Sequence, residues 1–179
     1  MMVHMIKHPK HHQGNAPQQL GIAVLTVSSS RTMDTDTSGH WMIKRIHKEG
    51  HRLETHIIIP DSVDLIHKTV VDLANQSQVN AILITGGTGI SPNDVTIEAV
   101  SPFFTKSIPA FGAIFSYLSY EEIDSAAMLS RAAAGIIQNT VVFCMPGSLK
   151  AVKLACNALI FNELHHICHH LFEKTNHNN

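Results

Sequence analysis

The segment from Asn80 to Glu98, NAILITGGTGISPNDVTIE, constrains the fold of this chain more than any other segment does. It opens with the apolar run 81–84, which is typical of a strand buried on both faces of a sheet. Three glycines follow within four residues, and glycine lets the backbone turn sharply and approach a ligand closely. The segment therefore predicts a central strand that ends in a tight, glycine-rich turn.

The residues around this turn point to an anion site with a metal beside it. Backbone N–H groups of such a loop, together with the start of the helix after Pro92, favour an anion such as phosphate. Asp94 lies at that helix start, and Mg²⁺ usually joins one or two carboxylates to substrate phosphates. The loop is not a dinucleotide-binding fingerprint, because Pro92 stands where the third glycine of that motif belongs. It is not a P-loop either, because no Gly-Lys-Ser/Thr sequence follows. A tight turn without a ligand is the alternative.

Composition narrows the classes of function. The 179 residues suit one domain, and a formal charge of −1 provides no basic excess for nucleic acid. No apolar run approaches the ~20 residues of a membrane span, and the N-terminus lacks an export signal core. Three cysteines without a Cys-x-x-Cys pair fit a reducing compartment. We therefore expect a cytoplasmic protein whose phosphate ligand is a small molecule, with no nucleic-acid or membrane partner.

Apolar runs alternate with amphipathic segments through most of the chain, which predicts an α/β fold with a mostly parallel sheet covered on both faces. Within the predicted helix at 125–137, Met128 and Leu129 are expected to pack in the core. The predicted strands are 20–27, 53–59, 81–84 and 140–144, and the predicted helices are about 38–49, 63–75, 93–101, 113–122, 125–137 and 149–171.

Polar loops follow each of the predicted strands, at 28–37, 60–61, 85–94 and 145–148. If these strands are parallel, their loops gather along one edge of the sheet, where ligands bind in open α/β folds. Asp61 is a candidate for a ligand-binding carboxylate, for the N-cap of the next helix, or for both. Arg131 either grips a phosphate or carboxylate or makes a surface salt bridge.

The two ends of the chain are rich in histidine. Residues 1–19 are predicted to be a flexible His-rich tail, 20–172 the folded domain and 173–179 a second flexible tail. The four histidines between 165 and 170 are interpreted as a solvated helix end rather than a metal site, since no carboxylate at the spacing of a metalloenzyme motif accompanies them.

Five blocks, in this order, resemble the MoaB/MogA family of molybdenum cofactor biosynthesis proteins. The likeness covers residues 20–171, and the Leu-Ser-Tyr-Glu-Glu-Ile block looks most like the MoaB branch. The blocks are TVSSSRTMDTDTSG, IIPDS, ILITGGTGISPNDVTIEA, FGAIFSYLSYEEIDSAAMLSRAAAGI and MPGSLKAVKLA.

The resemblance implies a three-layer α/β/α molybdopterin-binding domain that assembles as a homotrimer or a hexamer. Active members use Mg²⁺ and ATP to transfer AMP to the terminal phosphate of molybdopterin, release pyrophosphate, and hand the adenylylated pterin to a MoeA-type protein. Some MoaB-type members bind the pterin without evident transfer. A non-catalytic molybdopterin-binding or carrier protein is therefore the alternative function.

The resemblance also assigns residues. Asp61 and Asp94 are expected to be catalytic and to hold the metal. The family commonly has arginine where this chain has Asn93, and loss of a phosphate-contacting cation weakens binding by ~1–3 kcal/mol. The expected substrate-binding residues are Ser28, Arg31, Gly86, Gly87, Thr88, Gly89, Thr96, Ser130, Arg131, Pro146, Gly147 and Ser148.

Overall fold

The computed structural model of the chain describes residues 18–173. Within this range the chain forms a sheet of six strands in the order β2-β1-β3-β6-β5-β4. The predicted N-terminal tail, except for its last two residues, and most of the predicted C-terminal tail lie outside the described residues. The strands are β1 Gly21–Val27, β2 Arg52–Ile59, β3 Ala81–Thr85, β4 Lys106–Ser107, β5 Ala133–Ile137 and β6 Thr140–Met145.

The sheet is mostly parallel, as the sequence predicts. Strands β2, β1, β3 and β6 run parallel to one another, whereas β5 pairs antiparallel with β6, and β4 pairs antiparallel with β5. The four parallel strands therefore end at the same edge of the sheet, and the loops that follow them share that edge.

Helices cover both faces of the sheet. Helix α1 begins after Asp36, whose side chain accepts a hydrogen bond from the Gly39 N–H, and Gly50 follows its end with φ +79°. Glycine adopts this conformation without steric cost, so it suits the end of a helix. The helices are α1 Thr37–Lys48, α2 Val63–Ala74, α3 Thr96–Val100, α4 Pro109–Ile123, α5 Leu149–Ala155 and α6 Phe161–Glu173.

Two apolar clusters hold the three layers together. Alternate side chains of the central strands face α1, α4, α5 and α6 on one side and α2 and α3 on the other. In β3, Leu83 belongs to the first cluster and Ile84 to the second. Because both faces of each central strand are buried, these strands read as continuous apolar runs in the sequence. No helix in residues 18–173 is long and apolar enough to cross a membrane.

The predicted helix at 125–137 is wrong. Residues Asp124–Leu129 form a 3₁₀ helical segment, and Ala133–Ile137 form β5. A two-residue turn, in which Gln138 has φ +54°, returns the chain into β6 as a β-hairpin. The expected packing of Met128 and Leu129 is also wrong, since their exposed fractions are 82% and 57%.

The other boundaries differ less. Helix α4 begins at Pro109 rather than at residue 113, because proline is well suited to the first turn of a helix. The predicted last helix is interrupted by a π-helical turn, Cys156–Ile160, before α6 begins. Neither difference affects the sheet edge at which the four polar loops lie.

Candidate functional site

The four polar loops enclose a cavity of ≈ 630 Å³ at the carboxyl ends of the parallel strands. All the predicted site residues line it except Thr96, Ser130 and Arg131. This is the convergence that the sequence predicts from strand direction. The cavity is lined by Thr26, Val27, Ser28, Ser29, Ser30, Arg31, Asp61, Thr85, Gly86, Gly87, Thr88, Gly89, Asp94, Pro146, Gly147 and Ser148.

The glycine-rich loop after β3 has a backbone that other residues adopt rarely. Gly86 and Gly87 have φ values of +98° and +61°. A Cβ at Gly86 would clash with the carbonyl oxygen of Val27, and one at Gly87 would clash with the hydroxyl of Thr96. Both positions therefore require glycine for conformation and for space.

Side chains from neighbouring elements fix this loop in place. Thr96 is fully buried, and its Oγ1 donates to the Gly86 carbonyl at 2.8 Å while its N–H donates to the Gly87 carbonyl at 2.9 Å. Thr85 Oγ1 donates to the Pro146 carbonyl at 3.0 Å, which ties the glycine loop to the loop after β6. Thr96 thus holds the cavity wall from behind and does not line the cavity.

The loop presents polar groups that have no protein partner. Within residues 18–173, the backbone N–H groups of Gly87, Thr88 and Gly89 donate no hydrogen bond to a protein acceptor. The hydroxyl of Thr88 is also without a partner in the described part of the chain, although only 2% of this residue is exposed. Unpaired donors at a cavity wall can bind the oxygens of an anion.

Asp61 faces the cavity and is held by a serine from the neighbouring loop. Its Oδ2 accepts hydrogen bonds from the Ser29 N–H at 3.0 Å and the Ser29 hydroxyl at 2.7 Å. Its Oδ1 lies 3.2 Å from the point where a Cβ of Gly87 would stand. The alternative that Asp61 caps α2 is wrong, because Ser62 occupies the N-cap position.

Asp94 lies beside the other end of the glycine loop, at Gly89. Its Oδ2 accepts a hydrogen bond from the Ser91 N–H at 2.9 Å and lies 2.7 Å from the point where a Cβ of Gly89 would stand. Both carboxylates thus abut the glycine loop, with Asp61 beside Gly87 and Asp94 beside Gly89. In the described part of the chain, no three His, Cys, Asp or Glu side chains cluster as a metal site.

Of the described residues that line the cavity, Arg31 is the one with a cationic side chain. Its Nη1 donates to the Thr35 carbonyl at 3.3 Å and to the Thr37 hydroxyl at 3.4 Å, and its N–H donates to Ser28 Oγ at 3.2 Å. The lining thus combines two carboxylates with one guanidinium. That balance suits a metal cation and a phosphate bound together better than either alone.

A buried carboxylate fixes the loop that carries Ser28 and Arg31. Asp36 is fully buried, and its Oδ2 accepts a hydrogen bond from Thr26 Oγ1 at 2.6 Å and lies 2.9 Å from His56 Nε2. Burial raises the pKa of Asp36, but the hydrogen bonds from Thr26, Gly39 and His56 outweigh it and hold the pKa below the usual value. Asp36 therefore joins β1, β2 and α1 behind the cavity.

Ser130 and Arg131 lie outside the cavity, in a groove beside α4. The Arg131 guanidinium donates to the carbonyl oxygens of Thr88 and Gly89, both at 3.0 Å, and forms an ion pair with Glu98. The alternative of a surface salt bridge is confirmed by the ion pair with Glu98, but the sequence did not predict the bonds to the loop backbone. The prediction that Arg131 binds substrate stays a prediction.

The thiol groups of the protein do not take part in this site. Cys144, Cys156 and Cys168 are buried, and desolvation raises the pKa of each to about 12. A thiol with so high a pKa holds its proton at neutral pH and is a poor nucleophile. None of the described residues that line the cavity is a cysteine, so covalent catalysis by cysteine has no residue to carry it there.

Sequence reasoning missed the supporting residues Ser29, Asp36 with His56, and Glu98. Ser29 stands in a run of three serines, which indicates a polar loop but not the carboxylate that it holds. Apart from the bond between Asp36 and the Gly39 N–H at the start of α1, the partners of the other residues lie 10 to 33 positions away in the chain. No local pattern in the sequence reports such contacts.

Comparison with known proteins identifies relatives along most of the chain. Residues 23–166 match the family described as a probable molybdopterin binding domain. Molybdenum cofactor biosynthesis protein B of Bacillus subtilis is 48% identical over 157 residues, which are 87% of this chain and 92% of that protein. The protein of the same name from Staphylococcus epidermidis is 40% identical over 167 residues, 91% of this chain and 94% of that protein.

Solved structures agree with these relatives. A crystal structure of a molybdenum cofactor biosynthesis protein B has a TM-score of 0.85 and 43% identity, over 88% of this chain and 99% of the other. The tungsten cofactor synthesizing protein MoaB from Pyrococcus furiosus has a TM-score of 0.78 and 35% identity, over 87% of this chain and 99% of the other.

Proposed function

This chain belongs to the probable molybdopterin binding domain family of molybdenum cofactor biosynthesis, and from this premise we propose that it is a molybdopterin adenylyltransferase. In the proposed reaction, an oxygen of the terminal phosphate of molybdopterin attacks the α-phosphorus of ATP. A new P–O bond forms, the bond to the leaving group breaks, and pyrophosphate is released. The pathway follows from the family, and the reaction is our proposal.

One observation carries the proposal: a cavity wall with unpaired donors lies between two carboxylates. The buried Thr88 hydroxyl and the N–H groups of Gly87 to Gly89 fit the oxygens of a phosphate. Asp61 and Asp94 lie on either side of them. Phosphoryl and nucleotidyl transfer depend on positioning and charge neutralisation. The donors would provide the positioning, and Arg31 together with a metal ion at the two carboxylates would provide the neutralisation.

Each residue has a proposed role. The glycine loop and Thr88 hold a phosphate, while Arg31 neutralises charge at the Ser28 side of the cavity. Asp61, oriented by Ser29, and Asp94 orient the reacting phosphates and would hold Mg²⁺. The donor set fits this ion, because Mg²⁺ takes oxygen ligands and needs few carboxylates when substrate phosphates provide the rest. When bound, Mg²⁺ supplies charge neutralisation at the phosphates.

The second candidate function is a non-catalytic molybdopterin-binding or carrier protein. Asn93 favours it, because the resembled family commonly has arginine there. In the structure Asn93 is exposed and is not among the described residues that line the cavity. Asp61 and Asp94 are both present at the cavity wall, and for this reason we prefer the enzyme.

The direct test is adenylyl transfer by the purified protein with molybdopterin, ATP and Mg²⁺. We expect pyrophosphate release and AMP-pterin formation, with turnover reduced at least about a hundredfold in Asp94→Asn while pterin binding is kept. Asp72→Asn, an exposed carboxylate on α2, is the matched control and should keep full turnover. Tight pterin binding without turnover in the unaltered protein would establish the carrier instead.

We also propose that the chain assembles as a homotrimer or hexamer through the α4 side. Tyr117, Tyr120, Met128 and Leu129 all expose more than half of their surface on this side, and contiguous exposed apolar groups mark interaction sites. Light scattering should give three or six copies for the unaltered protein and fewer for Leu129→Glu. A monomer in the unaltered protein would contradict the proposal.

A further inference from the structure

Arg131 lies behind the glycine loop, on the side away from the cavity. Its Nε donates to the carbonyl oxygens of Thr88 and Gly89 at 3.0 Å each, and its Nη2 donates to the Asp94 carbonyl at 3.3 Å. Arg131 lines the groove beside α4 and not the cavity. One side chain thus binds three carbonyl groups of the segment that forms the cavity wall.

These bonds fix the direction in which the loop N–H groups point. A trans peptide is planar, and its C=O and N–H point in opposite directions. None of the described peptide bonds is cis. Because the Thr88 carbonyl points at Arg131, the N–H of Gly89 points to the opposite side of the loop. That side is the cavity, which Gly89 lines.

We propose that Arg131 is a positioning residue that turns the Thr88 and Gly89 carbonyls away from the cavity and the Gly89 N–H towards it. The inference rests on the proposed function, since it explains how the phosphate site of that function is built. Without the guanidinium, the carbonyl groups of Thr88 and Gly89 lose the hydrogen-bond donor that keeps them pointed away from the cavity. A carbonyl turned into the cavity repels phosphate oxygens.

The effect comes from the shape of the guanidinium rather than from its charge. Glu98 accepts from Nη1 and from Nη2, the latter at 3.3 Å, so the positive charge of Arg131 is already paired. The hydrogen bond from Arg131 also keeps the pKa of the Glu98 carboxyl below its usual value. The planar fork of arginine donates to several acceptors at once in a fixed geometry, whereas lysine offers a single ammonium on a flexible stem.

The test measures the binding of sodium pyrophosphate to the full chain by ¹H–¹⁵N NMR. In the unaltered protein we expect pyrophosphate to shift the amide signals of Gly87, Thr88 and Gly89. In Arg131→Lys and Arg131→Gln we expect binding to weaken about tenfold or more, as for the loss of one or more charge-assisted hydrogen bonds. Arg45→Lys is the matched control, since Arg45 also pairs with an acidic residue, Glu49, but far from the cavity.

The outcomes separate this inference from the function on which it rests. If the unaltered protein shows no shift at the glycine loop, both are overturned. If it binds pyrophosphate and Arg131→Lys binds within twofold of it, the positioning role is overturned while the phosphate site stands. A general loss of the folded spectrum in Arg131→Lys also counts against the inference, because a residue that only orients the loop leaves the two apolar clusters intact.

Discussion

The unpaired hydroxyl of Thr88 leads to a prediction in which stability and ligand affinity change in opposite directions. Valine has nearly the same shape as threonine but lacks the hydroxyl. Since Thr88 Oγ1 is buried without a hydrogen-bond partner among the described residues, it carries a desolvation cost that Thr88→Val removes. An unpaired buried polar group costs about 1–3 kcal/mol, so we expect the free energy of unfolding to rise by about 1 kcal/mol. For a domain of this size that rise corresponds to about 2–4 °C in Tm.

Ligand affinity should fall in the same variant. A hydrogen bond to a charged acceptor such as phosphate contributes about 1.5–3 kcal/mol, which corresponds to a Kd weakened by about ten- to a hundredfold. Urea unfolding of the ligand-free protein gives the stability, and titration with pyrophosphate gives the affinity. Both measurements use the same two proteins at the same pH.

Thr140→Val is the matched control. Thr140 and Thr88 each expose 2% of their surface, but Thr140 Oγ1 donates to the Val79 carbonyl at 2.9 Å. Thr140→Val removes this hydrogen bond from the Val79 carbonyl. We therefore expect the free energy of unfolding to fall by about 1 kcal/mol, with no change in the affinity for pyrophosphate. If Thr88→Val is destabilised as much as Thr140→Val and binds pyrophosphate normally, the Thr88 hydroxyl serves the fold and our reasoning about the cavity is refuted.

Three further perturbations test the loops and the sheet. Asp36→Asn should lower stability by about 2 kcal/mol at pH 7. Because the pKa of Asp36 in the folded protein lies below its usual value, this contribution is complete above the usual value and is lost as the pH falls through the folded pKa. The stability difference between the two proteins in urea unfolding should therefore be smaller at pH 3 than at pH 7. Gly87→Val should abolish phosphate binding, because the valine side chain would clash with the Thr96 hydroxyl and valine does not tolerate a φ of +61°. An unchanged affinity in calorimetric titration would contradict this. Gly135→Ala should cost about 1–3 kcal/mol in thermal unfolding, because its Cβ would overlap the ring of Phe104, and an unchanged Tm would show that the ring moves freely.

Sequence reasoning succeeded where local pattern and tertiary environment agree. The run 81–84 is apolar on both faces because β3 lies between β1 and β6 and under helices on each side. The turn at Gly86 and Gly87 was visible because only glycine accepts its backbone conformation and its close contacts. Parallel strands then bring the following loops to one edge, so most of the cavity lining was predictable from chain order alone.

Sequence reasoning failed at the antiparallel edge of the sheet. The segment 125–137 is rich in alanine and has apolar residues at helical spacing, so its local preference is helical. Pairing with β6 overrides that preference in Ala133–Ile137, where Gly135 gives room to the ring of Phe104. The polar pair Gln138-Asn139 between two apolar runs marks the hairpin only weakly, because it lacks the glycine that is typical of two-residue turns.

The sequence by itself determined the parallel core, the glycine-rich turn and the two carboxylates that follow strands, because each depends on residues adjacent in the chain. Only the tertiary structure decided which side of the glycine loop each polar group occupies. Arg131 lies 43 positions from Thr88 yet binds its carbonyl, and Ser29 holds Asp61 across 32 positions. Hydrogen bonds depend on distances of about 3 Å and on direction, and these are set when distant elements pack together rather than by the order of residues.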